Sequence, residues 1–257
     1  MFKTKAFISE RVWGYERWIA SVHPAGQATV DAATEFIGGK NLSSVIGDSY
    51  PLLIKIIQAN EVLSVQVHPD DDYARIHENS AGKTECWYIL DAKPGSSLIY
   101  GLSGDYGREE LRKAIENNSL DAYLQSVQVE RGDFVFIPAG TVHAITGGLR
   151  LLEIQESSDI TYRLYDWGRG REVHIEKGLD VIKPECNKRV SAFEPFPGRF
   201  TCPYFTLEKK DYTAKGRICF EKELTKEQRA AFDTPAAKSG WACLVILSGS
   251  GTLESSA

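Results

Sequence analysis

Between residues 51 and 167 the chain is a succession of short apolar runs, each broken by Gly, Asp, Ser or Asn. PLLIKIIQA (51–59) and VLSVQVHP (62–69) are dense in β-branched side chains and are separated by a turn-compatible Asn60-Glu61. ECWYILDA (85–92) and SLIYGLS (97–103) flank Lys93-Pro94-Gly95, a turn sequence. DFVFIPAGTVHAI (133–145), LRLLEIQES (149–157) and ITYRLYDW (160–167) follow. Residues of these types suit a pleated, half-buried surface, and strands this short at this spacing predict a sandwich or barrel. The fold class read from the chain is therefore mainly β.

Helical patterns interrupt the strands. Tyr106 to Val127 carries Leu111, Ile115, Leu120 and Leu124 among charges, which predicts one or two amphipathic surface helices. Glu172 to Ile182 predicts another, with Ile175, Leu179 and Ile182 on one side and Pro184 past its end. Thr225 to Phe232 is a short candidate.

The net charge of −5 gives no basic footprint for nucleic acid or an anionic membrane, so an anionic ligand needs a local cationic pocket. The N-terminal MFKTKAFISERVWGYERW lacks the apolar core of a signal peptide, and no apolar run reaches the ~18 residues of a membrane span. The five cysteines form no CxxC pair and read as free thiols, so a cytoplasmic location is expected.

Period-two alternation in VLSVQVHP puts Ser64, Gln66 and His68 on one face and Val65 and Val67 on the other. Two more polar residues stand in apolar strand contexts: Glu85 at the head of CWYIL, and His143 after FVFIPAGTV. Gln, His, Glu and His offer two oxygen donors and two imidazole nitrogens. That set suits Zn²⁺ well and Fe²⁺, Mn²⁺ or Co²⁺ acceptably, and its single anionic ligand would leave the ion a strong Lewis acid. Periodicity alone does not assemble these residues into one site. A lone strand histidine is more often a hydrogen-bonded core residue. Asp70, Asp71 and Asp72 read as a solvated turn capping a helix that starts near Tyr73, and His23, His77 and His174 carry no assigned role.

Four motifs in order, SVQVHPDD (64–71), GKTECWYIL (82–90), GDFVFIPAGTVHAI (132–145) and ITYRLYDWGR (160–169), together resemble the type I mannose-6-phosphate isomerases in their short bacterial form. WGYERW (13–18) and PLLIKIIQA (51–59) fit that family's N-terminal part. The resemblance implies a cupin, jelly-roll-like β-barrel with added helices and a second cupin-like half. It implies one zinc ion per chain, other divalent metals being possible, held by Gln66, His68, Glu85 and His143. It associates Ser64 and Lys83 with the substrate pocket, makes Arg163 the active-site arginine, and places Glu153 at an acidic position of the site. It implies interconversion of mannose 6-phosphate and fructose 6-phosphate through a cis-enediol. Lys83, Arg163 and Glu153 are then candidates for oxyanion or phosphate contact and for moving the proton. The structural alternative for Lys83 and Arg163 is surface ion pairing.

Residues 1–185 are expected to form the metal-binding barrel and residues 186–257 a partial second cupin-like domain. A weak repeat supports this: ECWYIL (85–90) against ACLVIL (242–247). Strands at 201–213 and 216–224 would pair with 241–253, and the uncovered face carrying Phe205, Ile218 and Leu244 would favour a homo-oligomer. The rival readings are a non-catalytic sugar-phosphate-binding cupin and a metal-dependent oxygenase. The oxygenase is disfavoured because Glu85 lies 17 residues after His68 rather than close behind an H-x-H pair.

Overall fold

The computed structural model describes residues 2–211 together with Cys243, Val245 and Leu247. The chain runs through β1 (Thr4–Lys5), β2 (Phe7–Arg11), β3 (Gly14–Ala20), β4 (Thr29–Val30), the helical turn α1 (Ser43–Ile46), β5 (Leu52–Ala59) and β6 (Val65–Val67). Then come α2 (Asp71–His77), β7 (Glu85–Ala92), β8 (Ser97–Leu102), α3 (Arg108–Glu116), β9 (Leu124–Gln128), β10 (Asp133–Ile137), β11 (His143–Ile145), β12 (Leu149–Glu156) and β13 (Tyr162–Tyr165). Last are α4 (Ile175–Val181), β14 (Glu194–Pro195), β15 (Arg199–Thr201) and β16 (Thr206–Glu208).

The strands form two main antiparallel sheets, a seven-stranded one in the order β14-β10-β7-β12-β5-β3-β2 and a five-stranded one in the order β13-β6-β11-β8-β9. Their inner faces meet. Ile57, Trp87, Ile89, Val135, Ile137, Leu149 and Leu151 of the larger sheet pack on Leu98 and Ile145 of the smaller. The expected jelly-roll-like arrangement is thus a sandwich whose sheets share no strand, rather than one closed ladder.

Alternation along each strand supplies a second layer of packing on each outer face. On β7, Trp87 and Ile89 point inward while Cys86, Tyr88 and Leu90 point out. The outer face of the larger sheet is covered by Val22, Ala28, Leu42 and Tyr50 from one side of the chain and by Cys202 and Phe205 from the other. The outer face of the smaller sheet, Val65, Val67, Ala144 and Leu164 among it, is covered by Leu111 and Ile115 of α3 and Leu179 and Val181 of α4. Gly14, with φ +147°, lets two strands touch: a Cβ there would lie 1.9 Å from the Gln58 carbonyl oxygen.

Three helical expectations differ in detail. The 106–127 pattern resolves into α3, a 3₁₀ turn at Leu120–Tyr123 and the strand β9. Asn118, at φ +53°, breaks the helix, and the open edge of β8 recruits the rest as a strand. α4 starts at Ile175 rather than Glu172 because the His174 N–H is drawn to the Arg163 carbonyl across β13. α2 begins at Asp71 and is capped by Asp70, whose side chain accepts from the Tyr73 N–H at 2.9 Å.

Residues 186–211 pack back on the sandwich: β14 extends the larger sheet beside β10, and β15 and β16 pair as a hairpin. The expected strand at 216–224, the helix at 225–232, Ile218 and Leu244, and the repeat and strand at 241–253 apart from its three described positions, lie outside the described residues. Among the described residues no helix is long and apolar enough to cross a membrane.

The inter-sheet core carries a direct stability test. Leu151 is fully buried there, so Leu151→Ala should lower unfolding free energy by about 2–5 kcal/mol. The urea midpoint should fall with an unchanged slope, while Ile76→Ala on the exposed side of α2 stays within about 0.5 kcal/mol of the parent.

Candidate metal centre

The slot between the sheets changes character along its length. β5 runs inward from Ala59 and Ile57 to Lys55, and β12 from Leu149 and Leu151 to Glu153 and Gln155. β7 runs from Ile89 and Trp87 to Glu85, and β11 from Ile145 to His143. The register aligns these changes. Gln155 stands opposite Glu85, Glu153 opposite Trp87 and Lys55, and His143 opposite Gln66, which in turn faces Arg163. One end of the sandwich interior is therefore apolar and the other polar.

At the polar end, ligand atoms of His68, Glu85 and His143 lie within 4.8 Å of one another, and all three residues are buried. His143 Nε2 is 3.4 Å from Glu85 Oε1, and His68 Nε2 is 3.7 Å from Glu85 Oε2. Gln66, half-buried, has its amide 3.3 Å from His143 Nε2. Each imidazole is oriented from behind. His68 Nδ1 meets the Ile160 carbonyl and His143 Nδ1 the Thr141 carbonyl, both at 2.9 Å. A carbonyl only accepts, so both Nδ1 atoms carry the proton and both Nε2 lone pairs turn towards Glu85.

The electrostatics fit a cation. Burial holds His68 well below the ordinary imidazole range, with Lys83 adding to the effect, and it holds His143 down at about 4, so both rings are neutral ligands at neutral pH. Burial pushes Glu85 up to about 7, against the pull of Lys83. The Lys83 ammonium lies 2.8 Å from Glu85 Oε2 and 2.9 Å from His68 Nε2, while Glu85 Oε1 has no donor among the described residues. Two imidazole lone pairs and a buried carboxylate brought to within 4.8 Å of one another form a ligand set that suits a divalent ion.

Glu153 lies beside this cluster. Its Oε1 pairs with Lys55 Nζ at 3.0 Å, and Trp87 Nε1–H donates to its Oε2 at 2.9 Å. Burial raises its carboxyl, but Lys55 and Lys83 outweigh burial and hold it below the usual range. Lys55 is kept charged in turn: burial lowers it, and Glu153 and Glu16 more than compensate. Lys55 also stacks 5.1 Å from the Trp18 ring, whose Nε1–H donates to Glu16 at 2.6 Å. Lys55, Trp87 and Glu16 had no place in the sequence reading. The signal was present for Lys55, a lone cation midway through PLLIKIIQA.

Arg163, half-buried, donates from Nη1 to the Glu172 carbonyl at 2.7 Å, and its Nε has no acceptor among the described residues. Burial lowers its pKa, with Arg171 and Arg169 nearby reinforcing the shift. Arg169 and Arg171 both clasp Asp166, at 2.8 and 2.5 Å. Ser64 is buried two residues before Gln66. The predicted residues therefore fall into the buried cluster of His68, Lys83, Glu85 and His143 with Gln66 at its side, the adjoining Glu153, and Arg163 on the neighbouring strand.

A family model for the catalytic domain of type I phosphomannose isomerase matches residues 14–95. The chain is 42% identical over 185 residues to the probable mannose-6-phosphate isomerase GmuF of Bacillus subtilis, a match covering 65% of this chain and 58% of GmuF. It is 40% identical over 213 residues to mannose-6-phosphate isomerase ManA of the same organism, covering 70% of this chain and 67% of ManA. The chain thus spans only part of the length of these relatives. Its structure superposes on the crystal structure of the mannose 6-phosphate isomerase from B. subtilis with a TM-score of 0.63 at 32% identity, over 77% of this chain and 75% of the other.

The buried carboxyls predict a pH dependence of the metal-free protein. Glu85 sits at about 7, and burial with the nearby Asp71 pushes Glu156 up to about 8. A raised acid holds its proton in the folded state where the unfolded chain has lost it, so it removes stability as pH climbs from its unfolded value to its folded one. The depressed histidines act only below their ordinary pKa, so above about 6.5 they no longer offset the loss. The melting temperature of metal-free protein should fall between pH 6.5 and 8, and Glu156→Gln should flatten that slope.

Proposed function

The chain belongs to the type I mannose-6-phosphate isomerase family, and from that premise we propose that it interconverts mannose 6-phosphate and fructose 6-phosphate as a metal-dependent aldose–ketose isomerase. The observation that carries the reading is the buried His68–Glu85–His143 cluster, with two imidazole lone pairs aimed at one carboxylate. With Gln66 turned to present its carbonyl oxygen, these four residues would hold one ion, and two nitrogens with two oxygens favour zinc. When bound, that ion supplies Lewis-acid stabilisation of the negative charge that builds on the substrate oxygens.

The remaining roles follow from position and charge. Isomerisation moves a proton from C2 of the aldose to C1, and the hydroxyl proton from O2 to O1, through a cis-enediol. Glu153, held ionised by Lys55 and Trp87 on the inner face, is the group we assign to accepting and returning it. Once Glu85 and His68 are engaged as ligands, Lys83 is free to donate to a substrate oxygen as a point charge. Arg163 offers guanidinium donors not spent on the protein, in a neighbourhood made cationic by Arg169 and Arg171; this suits the phosphate. Ser64, on the same strand face as Gln66, completes the substrate side. Trp87 closes the slot behind the site and keeps water from the reacting carbons.

Turnover of mannose 6-phosphate, measured with and without added zinc, tests the proposal. His143→Ala should lose bound metal and activity together. Arg163→Ala should retain metal and lose turnover by about 10²-fold. An Arg163→Ala rate within a few-fold of the parent makes Arg163 structural. Sugar-phosphate binding with no turnover under any divalent metal establishes the non-catalytic binding protein instead.

A further inference from the structure

The turn that carries His143 into the site is fastened by a side chain from outside both sheets. Asn187 is 6% exposed and follows α4. Its Oδ1 accepts from the Val142 N–H at 2.8 Å, and its Nδ2 donates to the carbonyls of Gly140 and Lys183, each at 2.8 Å. The partners fix the amide orientation, since an N–H can only donate and a carbonyl only accept.

The Val142 N–H and the Thr141 carbonyl are the two ends of one planar peptide unit. Asn187 grips the N–H end, and the carbonyl end receives His143 Nδ1–H at 2.9 Å. Rotating that plane would release one hydrogen bond or the other, so the grip on Val142 sets the direction of the Thr141 carbonyl and hence the tautomer and tilt of His143. The same turn reaches the second imidazole. The Gly140 N–H donates to the carbonyl of His68 at 2.9 Å, and Lys183, whose N–H donates to the Gly140 carbonyl, pairs through Nζ with Asp70 at 2.6 Å. Gly140 adopts φ +97°, and a Cβ there would meet the Lys183 side chain at 2.6 Å, so a side chain at this position would disturb the turn.

We propose that Asn187 is a positioning residue of the metal centre, which registers the His68 and His143 segments to each other and holds the His143 Nε2 lone pair on Glu85. The inference rests on the metal-dependent reading above and adds a residue that touches neither metal nor substrate.

The test compares wild type with Asn187→Ala and with Asn187→Asp, which keeps the acceptor for Val142 but sets an anion against two carbonyls. The readouts are zinc affinity by chelator competition, the ¹⁵N shifts of the His143 ring in metal-free protein, and melting temperature. We expect zinc affinity to fall about 10–100-fold in both variants, His143 to become a mixture of tautomers, and saturating zinc to restore most turnover. A folded variant that binds zinc with wild-type affinity overturns the proposal, whatever its melting temperature. Should neither variant fold, hydrogen exchange on wild type decides. Coupling is reciprocal, so zinc should slow exchange of the Val142 amide well beyond that of the remote Val30 amide, and equal effects overturn the clamp. A wild-type protein that binds no divalent ion overturns the metal reading and the clamp with it; wild-type binding matched by the variants overturns the clamp alone.

Discussion

Glu85 is a carboxylate with no exposure, placed between two sheets whose shared interior is otherwise hydrophobic over half its length. A charge in that position is costly unless it is matched, and the surrounding structure is organised around matching it. Lys83 comes from the loop ahead of β7, His68 from the end of β6 and His143 from the start of β11, so three separate stretches converge on one group. The match remains incomplete, since Lys83 reaches Oε2 while Oε1 keeps no donor among the described residues. A well-satisfied network would have been more stable and less receptive to a cation.

The division of the slot makes this tolerable. Trp87 marks the boundary: its ring packs with Ile57, Ile89 and Leu151 on one side, edge-on to His143 on the other, and its indole N–H secures Glu153. Polar chemistry is thereby confined to one end, while the apolar end and the two outer layers supply the buried area that holds the sheets together. The helices and the 186–211 segment matter to the site because they keep both sheets sealed on their far faces.

Much of this was legible in the chain. Alternation in VLSVQVHP separates Gln66 and His68 from Val65 and Val67, and the structure keeps that division, with the valines under the helices. Glu85 and His143 stood out as polar residues in apolar runs. The network behind them was less visible. Lys55 reads locally as an isolated charge, and only the pairing of β5 with β12 shows that Glu153 stands opposite it. Asn187 lies past the last motif and is one amide among many until the turn it grips is known. For β9, the run of Leu111, Ile115, Leu120 and Leu124 among charges predicts helix, but the last two also fit a 3₁₀ turn leading into a strand, and the edge of β8 settles the matter.

The pairing of Gln155 with Glu85, and of His143 with Gln66, bears on how such a protein can vary over generations. Side chains on a strand change face at every step, so one codon inserted or deleted within β7 would turn Cys86 or Thr84 into the slot and Glu85 out of it. Composition, length and hydrophobicity would hardly change, yet the ligand would be gone. Exposed turns such as Lys93-Pro94-Gly95 carry no such phase information and can lengthen or shorten freely. Insertions and deletions in descendants of this chain should therefore gather in those turns and stay out of β6, β7, β11 and β12, even where single substitutions in these strands are accepted.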